Sequence, residues 1–224
     1  MKEPLLMLST NITNAPARRF TTDRNGGHSL LGVRGKYPGM DKTVQNISQI
    51  IKQYRGDERI RDAALQISSS VRPDARTGMA DMRNFDAIAD AVYNWIVQRI
   101  HYVRDPNGIE RLQTPDATLK LRTGDCDDMV ILGASLLESV GIPTRIKLIG
   151  EKRGQYTHIY MEYLAKGEWV PFDPTLALYP GYQLPEKLFK ANKTVAIERP
   201  DNNSVPPKAI SGRTSSSTSR FLYT

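Results

Sequence analysis

The single cysteine of this 224-residue chain stands in Gly124-Asp125-Cys126-Asp127-Asp128, at the head of an apolar helical stretch. A histidine follows 32 residues later, in Tyr156-Thr157-His158-Ile159-Tyr160, and an aspartate 15 residues after that, in Phe172-Asp173-Pro174-Thr175. A thiol is a weak nucleophile until it ionises, at a pKa of about 8.5 in an unperturbed cysteine. A helix start supplies positive potential at Cys126. An imidazole within reach can hold the proton. His158 would then need a carboxylate on its other nitrogen to fix tautomer and ring direction, and Asp173 is the candidate. The backbone N–H of Cys126 is a candidate oxyanion donor. Tyr102 and Gln113 are both candidates for a side-chain donor beside it, and the sequence leaves that choice open. One feature opposes the reading: Asp125, Asp127 and Asp128 surround the thiol with negative charge, which raises a thiol pKa. Asp125 suits the N-cap. Asp127 and Asp128 suit the first helical turn, or orient the site, or recruit a cationic substrate group.

Other chemistries find less support. His28, His101 and His158 with one cysteine lack metal-ligand spacing, and there is no glycine-rich phosphate loop. No cofactor or metal is expected. His28 and His101 read as structural or solvated.

The elements that must position these residues are legible as patterns. Val44, Ile47, Ile50, Ile51 and Tyr54 recur at helical spacing over 41–55. Ile60, Ala63, Ala64 and Ile67 predict a second short helix. Phe85, Ile88, Ala89, Val92, Trp95 and Ile96 predict a third from about Asn84 to Arg99. A fourth starts at Cys126, capped by Asp125 and stopped by Gly141 and Pro143, with an apolar face broad enough to be deeply buried. Strands follow at Thr144–Ile149, Tyr156–Leu164 and Glu168–Phe172, the last two joined by Lys166-Gly167 as an antiparallel hairpin. The fold class is α+β, a central helix packed on an antiparallel sheet.

Composition and charge divide the chain further. Residues 1–40 read as an extended basic arm, 41–80 as a helical lead-in, 81–180 as the core, and 181–224 as a basic tail rich in Ser and Pro. The core carries a net charge of −3 and the remainder +10, with +4 on each arm. Basic arms meet nucleic acid, acidic protein surfaces or anionic membranes, or serve only to solubilise. Nucleic acid rests on charge alone, without an aromatic–basic motif. One cysteine excludes an internal disulfide. There is no signal-peptide core and no apolar run of the ~20 residues needed to span a bilayer. The chain therefore reads as soluble and cytoplasmic when made, whether it stays there or is built into a particle.

The motifs carry a family resemblance. Thr123-Gly124-Asp125-Cys126-Asp127-Asp128 and Leu136-Leu137-Glu138-Ser139-Val140-Gly141-Ile142-Pro143-Thr144-Arg145 resemble the nucleophile helix of the transglutaminase-like superfamily. Thr157-His158-Ile159-Tyr160-Met161-Glu162 resembles its histidine strand, and Gly167-Glu168-Trp169-Val170-Pro171-Phe172-Asp173-Pro174-Thr175 its aspartate strand. Ile100–Asp105 and Leu112–Pro115 fit upstream, so the similarity covers roughly 85–178. The wider family has His-Ala-Trp where this chain has His158-Ile159-Tyr160. The combination with Val103-Arg104-Asp105-Pro106 resembles most the versions encoded in bacteriophages and prophages. The resemblance implies a papain-like fold with Cys126 as nucleophile, His158 as base and Asp173 as orienter. It implies acyl transfer through a thioester on a protein or peptide substrate. Water as acceptor makes a peptidase or amidase, the favoured reading; an amine acceptor makes a crosslinking transglutaminase. It also implies a virion head or tail association, with the arms binding phage structural proteins. The competing class is a virion structural protein that keeps the fold as a scaffold.

Overall fold

The structure is a computed structural model that describes residues 30–33, 40–71, 73, 81–105, 110–176, 179–182, 184–185 and 188–199. Most of the N-terminal arm and residues 201–224 of the tail lie outside the described residues, so the expectations for them stand as sequence readings. The elements run β1 (Leu30–Val33), α1 (Met40–Tyr54), α2 (Glu58–Ser68), α3 (Phe85–Arg99), β2 (His101–Tyr102), β3 (Glu110–Gln113), α4 (Pro115–Leu121), β4 (Thr123–Gly124), α5 (Cys126–Ser139), β5 (Thr144–Gly150), β6 (His158–Ala165), β7 (Glu168–Phe172) and β8 (Ala191–Ala196).

α5 is the centre of the molecule. Every residue from Asp127 to Ser139 is buried. α1 to α4 pack around it, and β6 and β5 lie against its remaining side. Ile131, Leu132, Leu136 and Leu137 are fully buried, each worth about 1.5–3 kcal/mol relative to exposure. Close approach to the sheet depends on Gly133, where a Cβ would come within 2.9 Å of Met161 Cε and 3.2 Å of Phe172 Cε1. The helix stops where the sequence says it should. Ile142 N–H donates to the Leu137 carbonyl (3.0 Å) and Gly141 N–H to that of Glu138 (3.1 Å), with Gly141 at φ +90°, a Schellman end that needs the left-handed region glycine tolerates.

The main sheet is antiparallel, in the order β7-β6-β5-β8. Lys166 and Gly167 both have positive φ (51° and 85°), the signature of a type I′ turn that matches strand twist in a two-residue hairpin. This turn sets the register of β6 and β7, with Ala165 opposite Glu168 and Met161 opposite Phe172. Ile159, Met161 and Tyr163 therefore share one face of β6 and His158, Tyr160 and Glu162 the other.

The sheet has a fourth strand that periodicity did not reveal. β8 pairs along the whole of β5, Arg145 opposite Ala196 and Gly150 opposite Ala191, inside the stretch expected to be tail. Its apolar content is thin because it is an edge strand, exposed at alternate positions. α1 is joined to it at both ends. Asp41 pairs with Lys193, Lys52 with Glu198 at 2.7 Å, and the Arg55 guanidinium donates to the Glu198 carbonyl at 2.9 Å. Beyond β8, Arg199 reaches the Glu138 carboxylate with two N–H groups, at 2.9 and 3.1 Å. Among the described helices, none is long and apolar enough to cross a membrane.

Candidate active site

Cys126 is the first residue of α5, half-buried, with Asp125 as N-cap. Asp125 Oδ1 accepts from the N–H groups of Asp127 (3.1 Å) and Asp128 (3.3 Å), and Asp128 Oδ2 accepts from the Asp125 N–H (3.3 Å). The two carboxylates close a capping box around the cysteine. The thiol itself lies 3.7 Å from Asp127 Oδ1. Asp127 is buried, so its charge opposes ionisation of the sulfur while the helix dipole favours it.

His158 and Asp173 meet. His158 Nε2 and Asp173 Oδ2 are 2.7 Å apart, both side chains almost fully buried. The hairpin register explains the meeting. Continuing the β6–β7 ladder one step beyond Met161–Phe172 sets Asp173 opposite Tyr160, on the face His158 shares. Diagonal neighbours on one face lie within reach of long side chains. The Tyr160 ring stacks beside the imidazole, centroids 6.2 Å apart. With Nε2 occupied by the carboxylate, Nδ1 is the nitrogen left to exchange a proton.

Asp173 is held from three directions. Its Oδ1 accepts from the N–H groups of Thr175 (3.0 Å) and Leu176 (3.1 Å). Its carbonyl accepts from the Tyr93 hydroxyl at 3.4 Å. The Tyr93 phenol is pushed up to about 12, first by burial and then by the Asp173 charge. Thr175 Oγ1 donates to Met129 Sδ at 3.6 Å, which sets the Asp173 turn beside the first turn of α5, the turn that begins with Cys126.

β4 leads directly into α5 and pairs with β2. Tyr102 pairs with Gly124 in a two-residue parallel ladder, and Val103 N–H donates to the Gly124 carbonyl at 3.0 Å. The Tyr102 phenol is raised to about 12 by partial burial and then by the negative charges at Cys126 and Asp125. It stays a protonated donor over the working range of any thiol enzyme. Of the two side-chain oxyanion candidates, Gln113 has spent its donors: its amide Nε2 gives to the Thr123 carbonyl (3.2 Å) and to Asp128 Oδ2 (2.8 Å). Sequence reasoning did not foresee this use of Gln113, nor the parts of Thr175 and Tyr93. No spacing rule announces the Gln113, Tyr93 and Thr175–Met129 contacts, because whole elements of the fold lie between the partners. His101 is exposed on β2, and His28 lies outside the described residues. Among the described residues, no group of three or more His, Cys, Asp or Glu is arranged to hold a metal ion.

Residues 75–174 match the model of the transglutaminase-like superfamily, a stretch that runs from before α3 to the turn after Asp173. The α+β architecture is that of a transglutaminase-like core. No curated protein matches the chain in sequence. Among solved structures, it is similar to a "putative cysteine protease" from Cytophaga hutchinsonii (17% identity, 67% of this chain and 51% of that one, TM-score 0.39). It is also similar to a "putative protease" from Parabacteroides distasonis (13%, 65% and 28%, TM-score 0.48) and to LapG of Legionella pneumophila (22%, 59% and 70%, TM-score 0.36). The chain thus spans about half the length of the first of these and under a third of the second.

Proposed function

We propose that this protein is a cysteine hydrolase, a peptidase or amidase that works by thioester acyl transfer with Cys126, His158 and Asp173. The observation that carries the reading is the buried 2.7 Å His158–Asp173 pair, tied through Thr175 and Met129 to the helix turn that begins with Cys126. In the proposed reaction His158 Nδ1 takes the Cys126 proton and the thiolate attacks a substrate carbonyl carbon. The oxyanion is met by the Cys126 backbone N–H and the Tyr102 hydroxyl, the candidate whose donor is not already committed. The C–N bond breaks as the imidazolium returns its proton to the leaving amine. Water, deprotonated by His158, then attacks the thioester, releasing the acid and restoring the thiol. An amine in place of water would give crosslinking; hydrolysis is preferred because bacterial members of the superfamily that the motifs resemble are more often hydrolases. The substrate is a protein or peptide amide, and the setting a phage particle reached through the basic arms. The sequence motifs and arm charge support that setting.

The test is alkylation of Cys126 by iodoacetamide at neutral pH. The rate should exceed that of free cysteine and fall about a hundredfold in His158→Ala. Equal rates in the two proteins refute the catalytic reading. A scaffold reading is favoured by one observation, the Asp127 carboxylate beside the thiol. Cys126→Ala in the producing phage separates the two: intact assembly with lost function supports the enzyme, and unchanged infectivity the scaffold.

A further inference from the structure

One edge of β3 is held by carboxylates where a neighbouring strand would otherwise sit. Successive odd residues of a strand send their N–H groups to the same edge. Arg111 N–H donates to Asp105, and Gln113 N–H to Asp128 Oδ1 at 2.7 Å. β1 pairs with β3 along Glu110–Gln113. Leu112, between the two donors, is fully buried.

The Gln113 side chain turns onto the same carboxylate, Nε2 to Asp128 Oδ2 at 2.8 Å, and leaves its own Oε1 buried without a hydrogen-bond partner. An amide kept for its donors at the expense of its acceptor is there for what the donors hold. Asp128 is 2% exposed and also receives the Asp125 N–H, within the capping box that brackets Cys126. Gly124 leaves the room: a Cβ there would lie 2.7 Å from Asp128 Cβ. β3, β4 and the start of α5 thus converge on one carboxylate, two residues from the thiol.

We propose that Gln113 and Asp128 are positioning residues for Cys126, locking the first turn of α5 against β3 and holding a charge beside the sulfur whose strength Gln113 controls. This rests on the reading of Cys126 as a nucleophile and extends it to groups outside the triad. The charged groups around Asp128 are Asp125 and Asp127 on its own helix end and Asp105 from the segment after β2. Burial raises Asp128 to about 6, and the Asp105 charge adds to this; the donors from Gln113 and Asp125 pull the other way. Removing the Gln113 amide therefore favours the neutral acid, and removing the carboxylate relieves the thiolate of a like charge.

The experiment uses the full chain. Because it has one cysteine, thiolate absorbance near 240 nm follows Cys126 alone, and the side-chain carboxyl 13C shift follows Asp128. In Gln113→Leu the Asp128 titration moves upward, about tenfold in proton affinity. In Asp128→Asn the thiolate fraction at pH 7 rises about tenfold, the size expected for a unit charge lost from the same helical turn. The iodoacetamide rate profile loses its inflection near pH 6. Gly124→Ala, which displaces Asp128, shifts the thiol titration as well. If folded variants melt lower but keep the wild-type thiol and Asp128 titrations, the pair is only a cap and the proposal is overturned. Should Asp128→Asn not fold, Gln113→Leu decides, since it keeps the carboxylate and the capping box. A wild-type thiol indifferent to His158 would sink the hydrolase reading, while the titrations would still report the Gln113–Asp128 coupling.

Discussion

Asp173→Asn is the substitution that separates an orienting carboxylate from a merely buried one. Asparagine fits the same space, and its amide can face either way. Thr175 and Leu176 both donate N–H to Oδ1. The amide oxygen is therefore drawn to that side, which turns the NH2 toward His158. Reversing the amide would set an NH2 against two N–H donors, losing both of those hydrogen bonds while only inverting the one to His158, at a net cost of about 2 kcal/mol. That cost leaves roughly one molecule in thirty with the oxygen on the imidazole. In the rest, His158 Nε2 must accept, so Nδ1 carries the hydrogen and cannot take the thiol proton. Even the reversed form has lost the charge-assisted bond, about twice as strong as a neutral one, which weakens the imidazolium by another ~1.5–2 kcal/mol, or roughly 10–30-fold. Together the two effects lower Cys126 alkylation and peptide acylation roughly 300–900-fold. Stability changes little, because both backbone donors keep their acceptor. The assay is the iodoacetamide rate constant across pH 5–9, read beside a urea melt of each protein. An unchanged rate in a folded Asp173→Asn protein would show that the carboxylate does not set the tautomer.

Three further outcomes follow from the geometry. Tyr102→Phe should lower peptide acylation about 10–100-fold, the usual effect of one oxyanion donor or somewhat less, while iodoacetamide alkylation, which forms no oxyanion, stays within twofold; equal losses in both would remove the hydroxyl from that role. Glu138→Ala should cost about 3–5 kcal/mol in a urea titration. It takes the buried carboxylate from Arg199 and from Arg55, which keeps its bond to the Glu198 carbonyl, and frees the Thr144 N–H that Glu138 Oε1 accepts at 2.7 Å, yet thiol chemistry at the other end of α5 should be unchanged. For pH, burial raises the Asp128 carboxyl to about 6 from its ordinary 3.8. The native state thus holds the proton more tightly than the unfolded chain. The resulting stability is fully present below pH 3.8 and is lost as pH rises through 6, roughly 3 kcal/mol from about two pKa units. Urea midpoints of the wild type, compared with Asp128→Asn over pH 4–7, should show that slope in the first protein only.

What could be read from the chain divides along a physical line. α3 and β6 repeat their apolar residues at the period of the element, and α5 is apolar on a broad front because it is buried all round from Asp127 to Ser139. Their ends are marked by residues that act locally: Asp125 as a cap, Gly141 in the left-handed region, Lys166-Gly167 as a turn. Placing His158 against Asp173 needed only the hairpin register, which a two-residue turn fixes. β8 was hidden because it is half-exposed and its partner β5 lies some forty residues upstream; no local period records a pairing whose specificity sits in the other strand. α4, seven residues with Pro115 at its start, is too short to show a period at all.

The same limit applies to the thiol's surroundings. In the sequence, Asp125 can be assigned as the cap, but Asp127 and Asp128 are interchangeable members of one acidic run. In the fold they take three different positions: one caps the helix, one lies 3.7 Å from the sulfur, and one is sealed between Gly124 and Gln113. A carboxylate that accepts N–H groups from one strand and from a helix cap cannot be assigned from its own neighbours. Its partners lie at positions 113 and 125, and only the closure of β3 onto α5 gives them a common target. The residues of the proposed triad can be recognised because the chemistry proposed for them restricts their types. The groups that tune them can be any donor that arrives at the right distance, so the fold must be known before they can be named.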